Sequence, residues 1–597
     1  MKKGGISVQT ENIFPVIKKW LYSDKDIFVR ELVSNACDAV TKHKRLVSLS
    51  EAEESGEEYK VHVIINKELK TLVFKDNGIG MTAEEVDKYI NQIALSGALD
   101  FVSKYEGEDS KGGGIIGHFG LGFYSAFMVA ENVEIKTKSY TGVDAVQWDC
   151  KESGEYEMTT GNKADRGTEI VLHVSEGEYE YLDYEKVKAV LEKYCAFMSC
   201  PIYCCEGDKK ELINEIVPAW QKSPSELTDE DYNALYKKLF NDYRDPLFYV
   251  HVNADYPLNF KGILYFPSMR NNMESNEGCI KLFYNSVFVA DNIKEIVPDY
   301  LYNLCGVLDC PELPLNVSRS YLQDNAYIRK LSSHIVKKLA DKLIKLKNDD
   351  FEKYCALWDV IKPYIEYGSM KDAKFYDRVY QGMLLKSTDG KYTSLSELVP
   401  DKASEENKEI KLYYTTDPKQ QSYYVDLYAD KGISVYVLDA IVDTQFASFF
   451  ESKKSGVRFL RVDAAVDDIG SAAEDNDKLR TLFAEATGLD KEKISFADLG
   501  TDAAPALIRQ GEEGRRFADM MRMYQALNAT GSDLPIDEEL VVNTSSIAVG
   551  KINDVSEDKA KILAKHFYLL AIVASRALSA DELKAFLETN RLITELI

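Results

Sequence analysis

Apolar positions recur at helical spacing from the start of the chain. Ile13, Val16, Ile17, Trp20 and Leu21 predict a helix over residues 12–22, and a second is predicted from about 26 to 43. An acidic turn at 51–58 follows. Val61, Val63 and Ile65 then alternate with polar residues before Leu72-Val73-Phe74, which predicts two strands paired like a hairpin. Thr82-Ala83-Glu84-Glu85 has the capping-box pattern that opens a helix, because its first hydroxyl and its last carboxylate can each accept an N–H of the other's backbone. Further strands are predicted around 133–137, 145–150 and 168–174. Helices and antiparallel strands in this mixed order predict an α/β sandwich rather than a doubly wound parallel sheet.

The pattern breaks at 206–230, where Glu206-Gly207-Asp208-Lys209-Lys210 and Ser223-Pro224-Ser225 interrupt it. Beyond lies a middle portion that mixes strands, such as 248–252, with helices, such as 328–347. Aspartate- and alanine-rich sequence at 463–476 precedes a mostly helical C-terminal region. The expected division is 1–212, 213–485 and 486–597, in keeping with the roughly three or four domains that a chain of 597 residues requires. No short repeat or low-complexity tract is apparent.

The formal net charge of −25 changes the functional picture, since an acidic surface repels phosphate backbones and anionic membranes. Neither nucleic acid nor membrane is therefore an expected partner. Met1-Lys2-Lys3-Gly4-Gly5 leads into no apolar core, and the most apolar late stretch, 567–574, is too short to span a bilayer. A cytoplasmic location is expected. Ten scattered cysteines fit reduced thiols better than a disulfide framework. Cys200, Cys204 and Cys205 invite a metal reading, but their surroundings are apolar and hold no histidine, so burial as small hydrophobes is expected.

Four elements carry candidate chemistry. Glu31, Asn35 and Asp38 fall at i, i+4 and i+7 of the second helix and share one stripe, which taken alone reads equally as a solvated face. Asp76-Asn77-Gly78-Ile79-Gly80-Met81 follows a strand directly, so its carboxylate can accept from an exocyclic amine while its glycines let the backbone approach a planar base. Gly112-Gly113-Gly114-Ile115-Ile116-Gly117-His118-Phe119-Gly120-Leu121-Gly122-Phe123 runs into a helix predicted over 124–130, where exposed amides suit phosphates. Gly167-Thr168-Glu169-Ile170 lies on a late strand.

In this order the four elements resemble the ATPase superfamily shared by gyrase, the mismatch-repair protein MutL, histidine kinases and the ninety-kilodalton heat-shock chaperones. Glu31-Leu32-Val33-Ser34-Asn35-Ala36-Cys37-Asp38-Ala39, Ile116-Gly117-His118-Phe119-Gly120-Leu121-Gly122-Phe123-Tyr124-Ser125 and Leu313-Pro314-Leu315-Asn316-Val317-Ser318-Arg319 resemble the heat-shock chaperone family in its bacterial branch, as do Trp220 and Asp229-Glu230-Asp231-Tyr232. The resemblance implies an N-terminal ATPase domain of the gyrase and histidine-kinase type, a middle α/β domain and a mostly helical dimerisation domain. It implies an ATP-hydrolysing homodimeric clamp that works on unfolded or partly folded clients, with possible co-chaperones. Within it Glu31 would be the general base and Asn35 would help hold Mg²⁺ on the phosphates. Asp76, supported by Thr168, would read the adenine amine, with Gly80 and Met81 bordering the base. The segment with Gly117, Gly120, Gly122 and Phe123 would cradle the phosphates, and Arg319 would reach the γ-phosphate from the middle domain.

The chain departs from the family at its lid segment. Leu95 stands where a lysine is expected near the phosphates, and Tyr89 where an asparagine is expected; Ser320 follows the arginine in place of an acidic residue, and Asn285-Ser286 replaces a basic pair. These changes leave open a nucleotide-gated scaffold with little turnover. A DNA-working ATPase of the gyrase or MutL type is the other alternative, disfavoured by the charge. Phe517, Met520, Met521 and Tyr524 fall on one helical face, which reads either as buried or as client-binding. Leu563, Phe567, Leu570 and Ala574, with Leu583, Phe586, Leu587, Leu592 and Ile593, form faces suited to a homodimer interface.

Overall fold

The computed structural model describes residues 24–595 except 55, 106–114, 118–119, 257, 269–278, 292–295, 313–324, 401–408, 441, 512–515 and 517–537. The helix expected at 12–22, Arg319 and the face of Phe517, Met520, Met521 and Tyr524 lie outside the described residues. The chain forms two compact units, Met1–Lys338 and Leu339–Ile597.

In the first unit, helix α1 spans Ile27–Ser48, longer than its periodicity predicts, and its buried face includes Phe28, Leu32, Val33, Ala36 and Val40. Strands β1 (Val61–Asn66) and β2 (Thr71–Asp76) pair antiparallel, with Val61 opposite Asp76. The Thr82 capping box forms as expected and opens α2 (Ala83–Tyr89); α3 (Gly97–Tyr105) follows. Strands β3 (Ala130–Lys138), β4 (Val146–Lys151) and β6 (Gly167–Val174) match the predicted ones, β5 (Tyr156–Thr160) is an additional strand, and α4 (Tyr184–Cys195) packs on α1. With β7 (Ile202–Glu206) and β8 (Lys209–Leu212), the sheet has the order β5-β4-β3-β6-β2-β1-β7-β8, antiparallel except where β1 meets β7. One face of this sheet carries α1 and α4, which gives the sandwich and buries Val61, Val63, Leu72, Val133 and Leu172. Cys200 and Cys204 are part of that core, and Cys205 is half-buried.

The helix expected at 124–130 differs. The chain makes a short 3-10 helix over Gly122–Met128 and enters β3 at once. All of Phe123, Tyr124, Ala126, Phe127 and Met128 are buried, so packing on every side, rather than one amphipathic stripe, sets its geometry. A second sheet in this unit, ordered β12-β11-β13-β10-β9, is built from β9 (Phe248–Ala254), β10 (Phe260–Phe266), β11 (Ile280–Tyr284), β12 (Val287–Ala290) and β13 (Cys305–Asp309). Trp220 is fully buried against Phe197 and Phe283.

The second unit holds a parallel three-stranded sheet (Ile410–Thr415, Val435–Val437 and Val457–Arg461) among helices. Its C-terminal part carries helices Asp477–Thr487, Glu557–Ser575 and Ala580–Thr594, together with a four-stranded sheet. The fold is thus α/β, with an ATPase-type sheet domain, a middle α/β region and a helical C-terminal part. Among the described residues no helix is long and apolar enough to cross a membrane.

Candidate functional site

The polar stripe of α1 opens on a cavity of about 410 Å³. Glu31, Asn35, Asp76, Gly80, Met81, Gly117, Gly120, Gly122, Phe123 and Thr168 all line it, so ten predicted residues spread over more than a hundred positions meet around one space. Strand β2 delivers Asp76 at its last residue, and the neighbouring β6 delivers Thr168 at its second. The turn after Asp76 touches α1 at Ala39, whose carbonyl accepts the Ile79 amide at 3.0 Å. The glycine-rich segment touches α1 at Glu31, Asn35 and Asp38. Eight residues of helix separate Glu31 from Ala39, about 12 Å along the axis.

Asp76 is almost fully buried. Its Oδ1 accepts the Gly78 amide at 2.7 Å, and the carboxylate also accepts the Thr168 amide. Burial penalises the charged form and lifts the carboxyl to about 7, while those two amides and the cationic Lys163 and Arg166 pull the other way. Thr137 Oγ1 lies 3.0 Å from Thr168 Oγ1 and accepts the Met81 amide at 2.9 Å, which fixes the next turn of chain. Gly80 has φ +65°, and a Cβ there would come 1.9 Å from the Lys138 carbonyl oxygen. Only glycine lets the turn lie this close to β3.

At the other end, Glu31 is buried beside Arg30, whose Nε and guanidinium nitrogen donate to Oε1 at 3.0 and 2.8 Å. That grip holds the carboxylate against the glycine-rich segment, where a Cβ on Gly122 would meet Oε2 at 2.6 Å. Asp38 accepts the Ile116 amide at 2.8 Å on Oδ1 and the Gly117 amide at 2.7 Å on Oδ2. The Gly117 amide, expected to face phosphates, therefore engages a carboxylate of α1. The segment 89–98 closes one wall: Ser96 Oγ donates to the Gly117 carbonyl at 2.6 Å, and Tyr124 Oη to the Ile90 carbonyl at 2.6 Å. Tyr89 packs on Gly97 and donates to Asp100 at 2.8 Å.

Lys42 was missed by the sequence reading. It lines the cavity at i+4 from Asp38, with its Nζ 5.9 Å from the Phe101 ring centroid. Burial lowers its pKa, opposed by Asp38, Glu85 and Asp100. Extending the stripe Glu31, Asn35, Asp38 by one more turn of helix reaches it, so the signal was present. Asp38 was seen on the stripe, but no local pattern points to its partners 78 and 79 residues away.

These residues fit a nucleotide with its phosphates. The volume lies in the range of small-molecule sites, a buried acceptor sits beside the apolar Ile79, Met81 and Ile170, and Asn35 offers the hard oxygen that Mg²⁺ prefers. The family model described as Hsp90 protein matches residues 206–526, and the model for histidine kinase-, DNA gyrase B-, and HSP90-like ATPases matches 23–169. Chaperone protein htpG of Bacteroides fragilis strain YCH46 is 42% identical, covering 92% of this chain and 84% of its own length. Chaperone protein HtpG of Porphyromonas gingivalis strain W83 is 40% identical over 98% of this chain and 88% of its own. Its namesake from Yersinia enterocolitica is 30% identical, with 99% and 98% covered.

Proposed function

This chain belongs to the Hsp90 family, and from that premise we propose that it is an ATP-hydrolysing homodimeric chaperone whose cycle acts on unfolded or partly folded proteins. The working division is an ATPase domain over 1–212, a middle domain over 213–485 and a dimerisation domain over 486–597. Asp76, with Thr168 beside it, accepts from the adenine amine, and Gly80 and Met81 border the base. The phosphates extend along α1 toward Glu31, a distance of about 12 Å that suits a nucleoside triphosphate lying along the helix. Gly117, Gly120, Gly122 and Phe123 enclose that end. Asn35 would help hold Mg²⁺ at the phosphates, where the cation would supply charge neutralisation. Glu31 takes the proton of the attacking water, and Arg319, supplied from the middle domain, stabilises charge on the transferring phosphoryl group. Phe517, Met520, Met521 and Tyr524 contribute to client binding, and the apolar faces of Glu557–Ser575 and Ala580–Thr594 to the dimer. Co-chaperones would be further partners, and the proposed location is cytoplasmic.

The observation that supports this most is the convergence of the Glu31, Asp76, Thr168 and glycine-rich segments on one cavity. Steady-state ATP hydrolysis by the full-length protein, with and without Glu31→Ala, tests it. Turnover that depends on Glu31 and Mg²⁺ is expected. A protein that binds ATP with no turnover in either form would be a nucleotide-gated scaffold, the reading that Leu95 and Tyr89 favour.

A further inference from the structure

Behind Asp76 lies a chain of polar contacts among residues that do not line the cavity. Arg166, in the loop before β6, donates from Nη2 and Nε to the Asn77 carbonyl at 2.8 and 3.2 Å. Its Nη1 lies 2.9 Å from His43 Nε2, and His43 Nδ1 lies 2.7 Å from Tyr59 Oη. An arginine can only donate, so His43 Nε2 must be the acceptor. The imidazole is then the neutral tautomer with its proton on Nδ1, which donates to the Tyr59 hydroxyl. Burial and the nearby guanidinium both hold His43 neutral, its pKa lowered to about 4. The guanidinium is also 5.7 Å from the centroid of the Tyr59 ring.

The same turn is tied from its other side. Asn77 Oδ1 accepts the Lys60 amide at 3.0 Å, and Asn77 Nδ2 donates to the Glu58 carbonyl at 2.9 Å. Asn77 is therefore held by both its main chain and its side chain, one residue from the carboxylate that faces the cavity. Gly167 admits this arrangement, because a Cβ there would stand 2.2 Å from the Asp76 carbonyl oxygen.

We propose that Arg166 is a positioning residue for adenine recognition: braced by His43 and Tyr59, it fixes the Asp76-Asn77-Gly78 turn so that Asp76 meets an exocyclic amine in one geometry. The inference rests on the reading of Asp76 as the base-recognising acceptor. It takes Arg166 to act on the base alone, since its contacts reach the turn and none of the residues facing the phosphates.

The test compares ATP with inosine triphosphate, which carries the same phosphates and ribose but no exocyclic amine. Calorimetry on the full-length protein gives both affinities for wild type, Arg166→Ala, Arg166→Lys and Asp76→Asn. Loss of these partly buried, charge-assisted hydrogen bonds predicts that Arg166→Ala weakens ATP by about 10- to 100-fold. Inosine triphosphate should change little, so that discrimination collapses, and Arg166→Lys should restore part of it. Equal weakening of both nucleotides, or unchanged discrimination, overturns the proposal, because a general loss of structure would not tell the two bases apart. If Arg166→Ala does not fold, Arg166→Gln, which keeps an amide NH₂ donor but loses the charge, carries the same comparison. Discrimination that survives Asp76→Asn would instead overturn the reading of Asp76 itself. Discrimination lost in Asp76→Asn but kept in Arg166→Ala would overturn only the positioning role.

Discussion

Lowering the pH should release adenine from this protein, through the protonation of Asp76. Burial raises that carboxyl to about 7. Two backbone amides, of Gly78 and Thr168, already donate to it, and an adenine amine would be a third donor. Three donors favour an acceptor-only group, which is the carboxylate. With a titration point near 7, roughly a tenth of the sites are ionised at pH 6 and roughly nine tenths at pH 8, so affinity should fall about tenfold between them, about 1.4 kcal/mol. Binding near pH 6 should release about 0.9 proton, and near pH 8 about 0.1. Adenosine is the proper ligand, since it has no phosphate to titrate in this range. Calorimetry in buffers of different ionisation enthalpy reads both the affinity and the proton count. An affinity flat across this range, or rising as the pH falls, would refute the reasoning. In the second case a protonated carboxyl would be donating to a ring nitrogen while it accepts from the amine. The sign for stability is opposite to that of an ordinary ion-paired aspartate. The folded pKa lies above the unfolded value of 3.8, so the nucleotide-free protein loses stability from this group as pH rises from about 4 to about 7.

Glu31→Ala should leave ATP affinity within a few-fold while reducing hydrolysis by about 10²–10⁴, as expected for loss of a general base; phosphate-release kinetics and calorimetry separate the two. Gly122→Ala places a methyl group 2.6 Å from Glu31 Oε2, a carboxylate that Arg30 holds in place. Turnover should fall at least about tenfold, with a smaller change in nucleotide affinity, because misplacing a catalytic group costs rate first. Arg319→Ala should slow turnover of the full chain by roughly 10–10³-fold. Fragment 1–210, which lacks this arginine, should hydrolyse ATP far more slowly than the intact protein; equal rates would make the pocket self-sufficient.

Local periodicity carried much of this protein into view. A stripe at i, i+4 and i+7 fixes which face of α1 holds Glu31, Asn35 and Asp38, whatever packs against it. Alternation predicts β1 and the apolar run Leu72-Val73-Phe74 predicts β2, and the capping box at Thr82 forms because both of its partners lie within one turn of helix. The turn after Asp76 was legible as well, since its glycines answer to backbone geometry that Gly80 indeed adopts. The 3-10 helix at Gly122–Met128 was not, because a segment buried on all sides has no amphipathic period to read. The contacts that tune the site are also non-local. Asp38 meets the Ile116 and Gly117 amides, and Arg166 meets His43 and Asn77, only because the chain between them has folded and β6 has paired with β2. The elevated pKa of Asp76 belongs to the same class: an aspartate at a strand end is ordinary in sequence, and only the surrounding packing removes the water that would keep it a strong acid.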